Sequence, residues 1–340
     1  MNEPRVESAS ALLAPGRSCP LHYRYRPEVF ASEAPDDLQA LDVLYVVGGL
    51  YGNELALERV LELFEREEGR KRLVFNGDFH WFDADSDRFA RVQRAVLGHH
   101  ALRGNVETEL SAEGGDEDAG CGCAYPDWVG DGVVERSNRI LSRLRRAVTD
   151  AQRVELVALP MWLRADVGSV RLGIVHGDAT SLAGWAFAQE HLRDAAHRAE
   201  VAQWLVQGQV DAFACTHTCL PVFQGVTLRQ PVPGPDGLRW ILNNGAAGMP
   251  NFQGDGAGLL TRIATRPWSQ DFGGAERRFG ASIRPGVHAE AIAIQFDAKI
   301  WRSHFLSLWP AGSDAHLSYF DRIVQGPDYA PADALRVPGH

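Results

Sequence analysis

Lysine is almost missing from this chain: of its 34 Lys and Arg residues, only Lys71 and Lys299 are lysines. Lysine-nucleophile chemistry therefore has almost no residue to run on, whereas arginine suits planar, bidentate recognition of phosphate or carboxylate. An excess of positive charge is missing as well. The formal net charge is −10 over 340 residues and no basic run stands out, which excludes long DNA or RNA as an expected partner. No apolar run approaches the roughly 20 residues of a membrane-spanning helix. Near the start only Ala11-Leu12-Leu13-Ala14 is apolar, too short for a secretory core segment. These absences predict a soluble, cytoplasmic protein without a membrane partner. The five cysteines, Cys19, Cys121, Cys123, Cys215 and Cys219, are odd in number. In a cytosolic chain of this length they read as reduced thiols or metal ligands, not as a disulfide framework. No internal repeat or heptad is visible.

What is present is a chain with 45% hydrophobic residues, enough to bury a large core. Residues 1–42, with Pro15, Pro20, Pro27 and Pro35 among charged residues, read as an extended lead-in. From Val43 strands and helices alternate: strand 43–47, helix 54–66, strand 72–75, helix 87–97, strand 100–103. This rhythm gathers loop residues at the carboxyl ends of parallel strands. Residues 107–132 break it with Gly114-Gly115-Asp116-Glu117-Asp118 and Gly120-Cys121-Gly122-Cys123, a loop long enough to be functional. A surface helix over 133–148 follows and is expected to cap the entrance to a site. Apolar runs 161–165 and 170–175 flank a turn and read as a hairpin of a second sheet. Helical stretches at 185–191 and 195–206 and strands at 211–214, 240–242, 259–264 and 289–296 complete the pattern. Two sheets with helices outside give an α/β fold, a four-layer α/β/β/α sandwich. One domain over 43–300, with an insertion at 107–150, and a C-terminal extension over 301–340 are expected.

Five loops carry the chemistry, each after an apolar strand. They are Gly48-Gly49-Leu50-Tyr51-Gly52-Asn53, Asn76-Gly77-Asp78, Arg103-Gly104-Asn105-Val106-Glu107, His176-Gly177-Asp178 and Ala214-Cys215-Thr216-His217. With the turn Asn243-Asn244-Gly245-Ala246-Ala247-Gly248, this series over residues 43–297 resembles the calcineurin-like metallophosphoesterases. In that family two metals clamp a phosphate and supply a hydroxide nucleophile. The resemblance implies that Asp78 bridges the metals, that Asn105, His176 and Cys215 complete one site, and that His217 belongs to the other with positions 49 and 51. The family has an aspartate and a histidine where this chain has Gly49 and Tyr51. Glycine offers no ligand, and a neutral phenol with a pKa near 10 is a weak one. The resemblance thus implies one divalent transition metal, zinc, iron or manganese, in preference to two. Cys215 in place of a histidine biases the choice toward zinc or ferrous iron.

His80 offers a replacement ligand if its imidazole turns inward with Asp83 behind it. The alternative is a histidine hydrogen-bonded at a loop corner. Val106 stands where phosphatases of the family carry a histidine that protonates the leaving group, a contribution of about 10²- to 10⁴-fold where present. Arg103, with Arg136, Arg139 and Arg143 on the capping helix, is a candidate for holding an anionic substrate beside Asn105. Cys121, Cys123, Cys215 and Cys219 would form a closed zinc site only if the long loop folded over the centre; otherwise Cys219 packs as a small hydrophobe and Cys121 and Cys123 lie in a turn, while Cys215 stays at its metal-ligand position. Residues 245–248 read as a tight turn. The expected function is a divergent phosphoesterase-like hydrolase for a small phosphorylated molecule, with Asp78 and His217 catalytic. The alternative is an inactive protein of the same fold that binds an anionic metabolite or a partner protein.

Overall fold

The computed structural model describes residues 15–17, 19–112, 120–228, 237–269 and 276–338. The acidic run 114–118 lies outside them. In β1 (Val43–Val47) every residue is buried, as an uninterrupted apolar strand requires when both its faces are covered. Its side chains alternate: Val43, Tyr45 and Val47 face one core cluster, Leu44 and Val46 another. Helix α1 (Glu54–Glu65) leads to β2 (Lys71–Asn76) and α2 (Ser86–Leu97) to β3 (His100–Leu102), and the three strands are parallel. Asn53 and Asp85 cap the two helices by accepting the N–H groups of Ala56 and Arg88.

Next come α3 (Asn105–Ser111), α4 (Asp131–Leu144) and α5 (Asp150–Val157), then the antiparallel hairpin of β4 (Trp162–Val167) and β5 (Val170–Val175). Helix α6 (Ala195–Gln207), β6 (Ala212–Cys215), β7 (Val222–Thr227), β8 (Leu238–Asn243) and β9 (Gly258–Ala264) follow. The chain ends through β10 (Arg277–Arg284), β11 (Val287–Ile294), α7 (Ala298–Leu308), α8 (Asp314–Gln325) and β12 (Leu335–Arg336). Two six-stranded sheets result, ordered β10-β11-β9-β1-β2-β3 and β12-β7-β8-β6-β5-β4.

Leu44, Val46, Val74 and Leu102 of the first sheet pack in one cluster with Leu172, Ile174, Ala214 and Leu242 of the second. Helices α1 and α2 cover the outer face of the first sheet through Leu57, Val60, Phe89 and Val92, and α6 covers the second through Val201 and Leu205. This is the expected α/β/β/α sandwich. The carboxyl ends of β1, β2, β3, β5 and β6 bring the sequence motifs to one edge. Among the described residues no helix is long and apolar enough to cross a membrane.

The chain departs from the sequence expectation at 185–191, where it forms turns and then a single 3₁₀ turn at His191–Arg193. The buried carboxylate of Asp178 accepts backbone N–H groups of Thr180, Ser181 and Ala186, which curls this segment about one side chain. Residues beyond 300 return to the core: Trp301, Phe305 and Trp309 are buried with Phe82 and Phe89. The segment before β1 also packs inward, through Tyr23 and Phe30. Helix α4 lies against α8, held by Arg136 to Ser318 and by Arg139 to Asp314.

Candidate metal centre

Asp78 sits on the tight turn after β2 with a left-handed backbone, φ +53°. Glu107, in the first turn of α3, holds that turn: its carboxylate accepts the N–H groups of Asp78 (2.7 Å), Phe79 (3.0 Å) and Gly104 (2.9 Å). Asp78 Oδ1 accepts the Val106 N–H, which aims Oδ2 at His176 Nε2, 3.3 Å away. Gly104 has to be glycine, because a Cβ there would overlap Asp78 Oδ1 and crowd the His176 ring.

Each of the other donors is oriented by one carbonyl. His176 Nδ1 lies 2.8 Å from the Asn76 carbonyl and must donate to it, leaving Nε2 with a lone pair. His217 Nε2 donates to the Cys123 carbonyl at 3.0 Å, leaving Nδ1 3.1 Å from His176 Nε2. The Asn105 amide donates to the Cys121 carbonyl at 2.9 Å, turning its Oδ1 to within 3.2 Å of His176 Nε2. Four acceptor atoms thus converge with their hydrogens committed elsewhere. Buried lone pairs at such distances need a cation or a shared proton between them. The ligand atoms of Asp78, His176 and His217 all lie within 4.8 Å of one another. Two imidazole nitrogens and two oxygens suit a divalent transition metal.

The electrostatics agree with a site short of positive charge. Burial disfavours the His176 imidazolium, but the Asp78 carboxylate outweighs it and raises the His176 pKa. Burial also works against ionised Asp78, and His176 outweighs that to lower its pKa. His217, buried beside His176, is pushed down to about 4.

On the far side of Asp78 the space is filled. A Cβ at Gly49 would lie 3.0 Å from Cζ and Oη of Tyr51, so the Tyr51 ring occupies the place into which a side chain at 49 would project. Its hydroxyl is 2.9 Å from Cys219 Sγ. Burial, followed by the nearby Cys219 and Asp78, pushes the phenol pKa well above its usual value. A neutral phenol bonded to a thiol is not a metal ligand as it stands.

No family model matches this chain, and no curated protein matches its sequence. Solved structures do. A metallophosphoesterase from Sphaerobacter thermophilus superposes with a TM-score of 0.51 at 14% identity, covering 84% of this chain and 100% of that one. A hypothetical protein from Pyrococcus horikoshii OT3 gives 0.54 at 13% identity, covering 84% and 99%. The chain has the metallophosphoesterase fold.

On this metallophosphoesterase frame the residues singled out by sequence divide into two groups. Asp78, Asn105, His176 and His217 come together. Cys215 stands apart from them: it ends β6 with Phe213 facing outward, buried with Val222 and Ile241 beneath α6, because strand alternation gives Ala212 and Ala214 the opposite face. His80 pairs with Asp83 at 2.9 Å, but its ring is stacked 3.6 Å over Phe89 and lies outside the metal group. Arg103 donates to the Val157 carbonyl, and Arg143 lies over Trp309. Together with Arg136 and Arg139, these arginines are spent on holding the cap and α5. Residues 245–248 form no hydrogen-bonded turn: the backbone is irregular and bends at 247–249, because the Ala247 and Gly248 N–H groups donate to the Gly48 and Gly49 carbonyls instead.

The loop after residue 119 folds over the centre. A cavity of about 50 Å³ remains above Asp78, Asn105 and His217. Its roof is aromatic: Trp81, Tyr125, Trp185 and Tyr319. The Cys123 carbonyl fastens this roof by accepting from both His217 and Trp185 (2.9 Å). Neither this carbonyl nor the three-amide grip of Glu107 was assigned from sequence. The only sequence signals for them were the acid that follows Asn105-Val106 and the unusual length of the loop.

Proposed function

We propose that this chain is a one-metal protein on the metallophosphoesterase fold, holding a divalent zinc, iron or manganese ion on Asp78, Asn105, His176 and His217. The observation that carries the reading is the convergence of four acceptor atoms whose hydrogens are bound elsewhere. A bound ion would supply Lewis acidity toward a phosphoryl oxygen and acidify a water.

The chain's own residues restrict the chemistry open to such an ion. Asp78 and the neutral His217 orient ligands but hold no proton to give a leaving group at neutral pH, and Val106 gives none. A cavity of about 50 Å³ holds a few waters, one needing about 10–15 Å³, and is small for a phosphoester; neither Lys nor Arg is among its described lining residues. Anion binding and turnover therefore require the cap to move. In the closed form the protein is a metal-binding protein; an anionic metabolite or a partner protein would have to engage it at the cap.

The second reading, a slow hydrolase for a small phosphorylated molecule, is favoured by Asp78, whose carboxylate lies beside His176 Nε2 and lines the cavity. Metal content by mass spectrometry, followed by an aryl and alkyl phosphoester screen on the loaded protein, separates the two. One metal per chain without turnover supports the first reading, and turnover lost in Asp78→Asn supports the second. Absence of metal after reconstitution overturns both.

A further inference from the structure

Between the edge of the second sheet and the first turns of α6 lies a cleft of about 580 Å³, which shares no described lining residue with the cavity over the metal position. Its volume falls within the range of about 300–1,000 Å³ usual for small-molecule sites. Arg193, Arg198 and Arg336 line it, and neither Asp nor Glu is among its described lining residues. The chain as a whole carries a formal net charge of −10. Three guanidiniums gathered in one cleft therefore run against its overall balance.

Strand register and one buried amide put them there. β12 pairs parallel with β7, which sets Arg336 beside Gln224 on the strand face that Val222 and Val226 turn toward α6. The buried Gln189 then holds two of the three arginines: its Oε1 accepts from Arg193 Nε at 3.3 Å and from Arg336 Nη2 at 2.5 Å, and its carbonyl accepts from Arg336 Nη1 at 2.6 Å. Arg336 Nε donates to the Asp333 carbonyl, and Arg198 Nη1 to the carbonyls of Leu192 and Arg193. All of these acceptors are neutral oxygens. Among the described residues the one ion pair that any of the three makes is a long one, Arg193 Nη2 to Asp333 Oδ1 at 3.9 Å, with both side chains well exposed. Burial lowers the Arg336 pKa, and the Arg193 charge adds to that against Tyr329 and Asp333. A guanidinium has five N–H groups, and among the described residues nothing accepts from Nε or Nη2 of Arg198. The side chains are fixed while charge and donors are left over.

We propose that this cleft binds a small polyanionic metabolite, one carrying at least two phosphate or carboxylate groups, through Arg193, Arg198 and Arg336. The inference goes beyond the one-metal reading and does not depend on it. The planar fork of arginine matches either oxyanion bidentately. An anion lying between Arg193 and Arg336 supplies the negative charge that their shared amide oxygen lacks. Because Gln189 and the Asp333 carbonyl fix Arg336 before any ligand arrives, little side-chain freedom is lost on binding. Val226 and Pro338, on the same lining, offer apolar surface to the uncharged body of such a molecule.

The test is isothermal titration of the full chain, freed of metal with a chelator that is then dialysed away, using inorganic pyrophosphate and citrate as separate probes. At least one of them should bind at one site per chain, and which one binds tighter tells phosphate from carboxylate. Arg198→Met and Arg193→Met should each weaken that binding about tenfold or more, the scale of one hydrogen bond to a charged group. Arg336→Met should do the same; since Arg336 also ties β12 down, circular dichroism and a urea midpoint accompany it, and the other two variants carry the test if it unfolds. His176→Ala should leave the affinity unchanged, because the centre and the cleft share no described lining residue. Failure of the parent chain to bind either probe at millimolar concentration overturns the inference. So does binding that survives in Arg193→Met and Arg198→Met, or that is lost in His176→Ala, which would place the anion at the centre instead.

Discussion

Asp78 separates two halves of one centre that have met opposite fates. On one side Asn105, His176 and His217 keep their donor atoms aimed inward, each oriented by a backbone carbonyl through its other polar atom. On the other side Gly49 has no side chain and the Tyr51 ring lies in the space that one would need. The first half is maintained by hydrogen bonds that exist without a metal; the second is maintained by packing that excludes one. The bare position at 49 and the aromatic ring at 51 are therefore sterically linked. A Cβ at 49 and a ring at 51 compete for one volume. One side of such a centre can be closed by packing while the other keeps its acceptor atoms aimed, provided those residues carry their own supports.

The largest effect should come from breaking the retained half. His176→Ala removes the atom to which the other three donors converge. Taking about a quarter of the roughly 10–16 kcal/mol typical of a four-ligand zinc site, the loss is on the order of 3–4 kcal/mol, or two to three decades in affinity. Isothermal titration with Zn²⁺ measures it. Zinc bound as tightly as by the parent chain would show that the convergence is held together by a proton and not a metal.

Acid should expose the same half in a second way. In chelator-treated protein the His217 pKa of about 4 lies below its unfolded value of about 6.5. As pH falls below 6.5 the unfolded chain takes the proton first, so stability is lost down to about pH 4. The amount is about 3 kcal/mol for this buried ring, at 1.36 kcal/mol per unit. His176 acts with the opposite sign: its raised pKa contributes fully below about 6.5, and the contribution fades as pH rises through the folded value. The metal-free protein should therefore show a stability maximum near pH 6.5, measured by urea unfolding. His217→Gln should flatten the acid limb, and zinc should remove the alkaline one. An acid limb unchanged in His217→Gln would mean that other groups carry it.

Much of the retained half was legible in the sequence, and little of the filled half was. Asp78, Asn105, His176 and His217 are found from motif order alone, because each follows an apolar strand whose carboxyl end the β-α rhythm places at one edge. The direction of Cys215 was legible too, since Phe213 and Cys215 alternate against Ala212 and Ala214, but its alignment with a ligand position pointed the other way. Tyr51 was legible only as a lost ligand. Its ring position depends on a left-handed backbone at 51, which nothing in the residue type announces. The Cys123 carbonyl that fixes His217 is a backbone group and has no sequence signature. Helices α7 and α8 were missed although Asp297 offers a cap and Trp301 and Phe305 stand one turn apart. The helix at 185–191 was misread because the organising group is one buried carboxylate, Asp178, eight residues away from its farthest partner.

The filled half can be tested by reopening it. Gly49→Ala places a Cβ 3.0 Å from the Tyr51 ring at a φ of +66°. The strain and overpacking should cost about 1–3 kcal/mol. Combining it with Tyr51→His should recover the overpacking part, so that a double-mutant cycle shows favourable coupling of about 1 kcal/mol between two sites that share one volume. Gly49→Asp with Tyr51→His goes further and should raise metal content from one equivalent to two. Additive stabilities in the cycle would mean that the ring at 51 can leave without help and that the two substitutions are unrelated events.

The smallest effect separates ligand from packing among the thiols. Cys215 touches the apolar cluster beneath α6 and nothing at the centre. Cys215→Ala deletes one buried sulfur, so it should cost about 1 kcal/mol of stability through the cavity it leaves and no metal. Equal zinc affinity beside a lower urea midpoint confirms the direction that strand alternation imposes. A loss of metal in this variant would instead mean that β6 shifts its register by one residue when the ion binds, turning Cys215 inward and Ala214 out, and would return the centre to the ligand set its motif order implies.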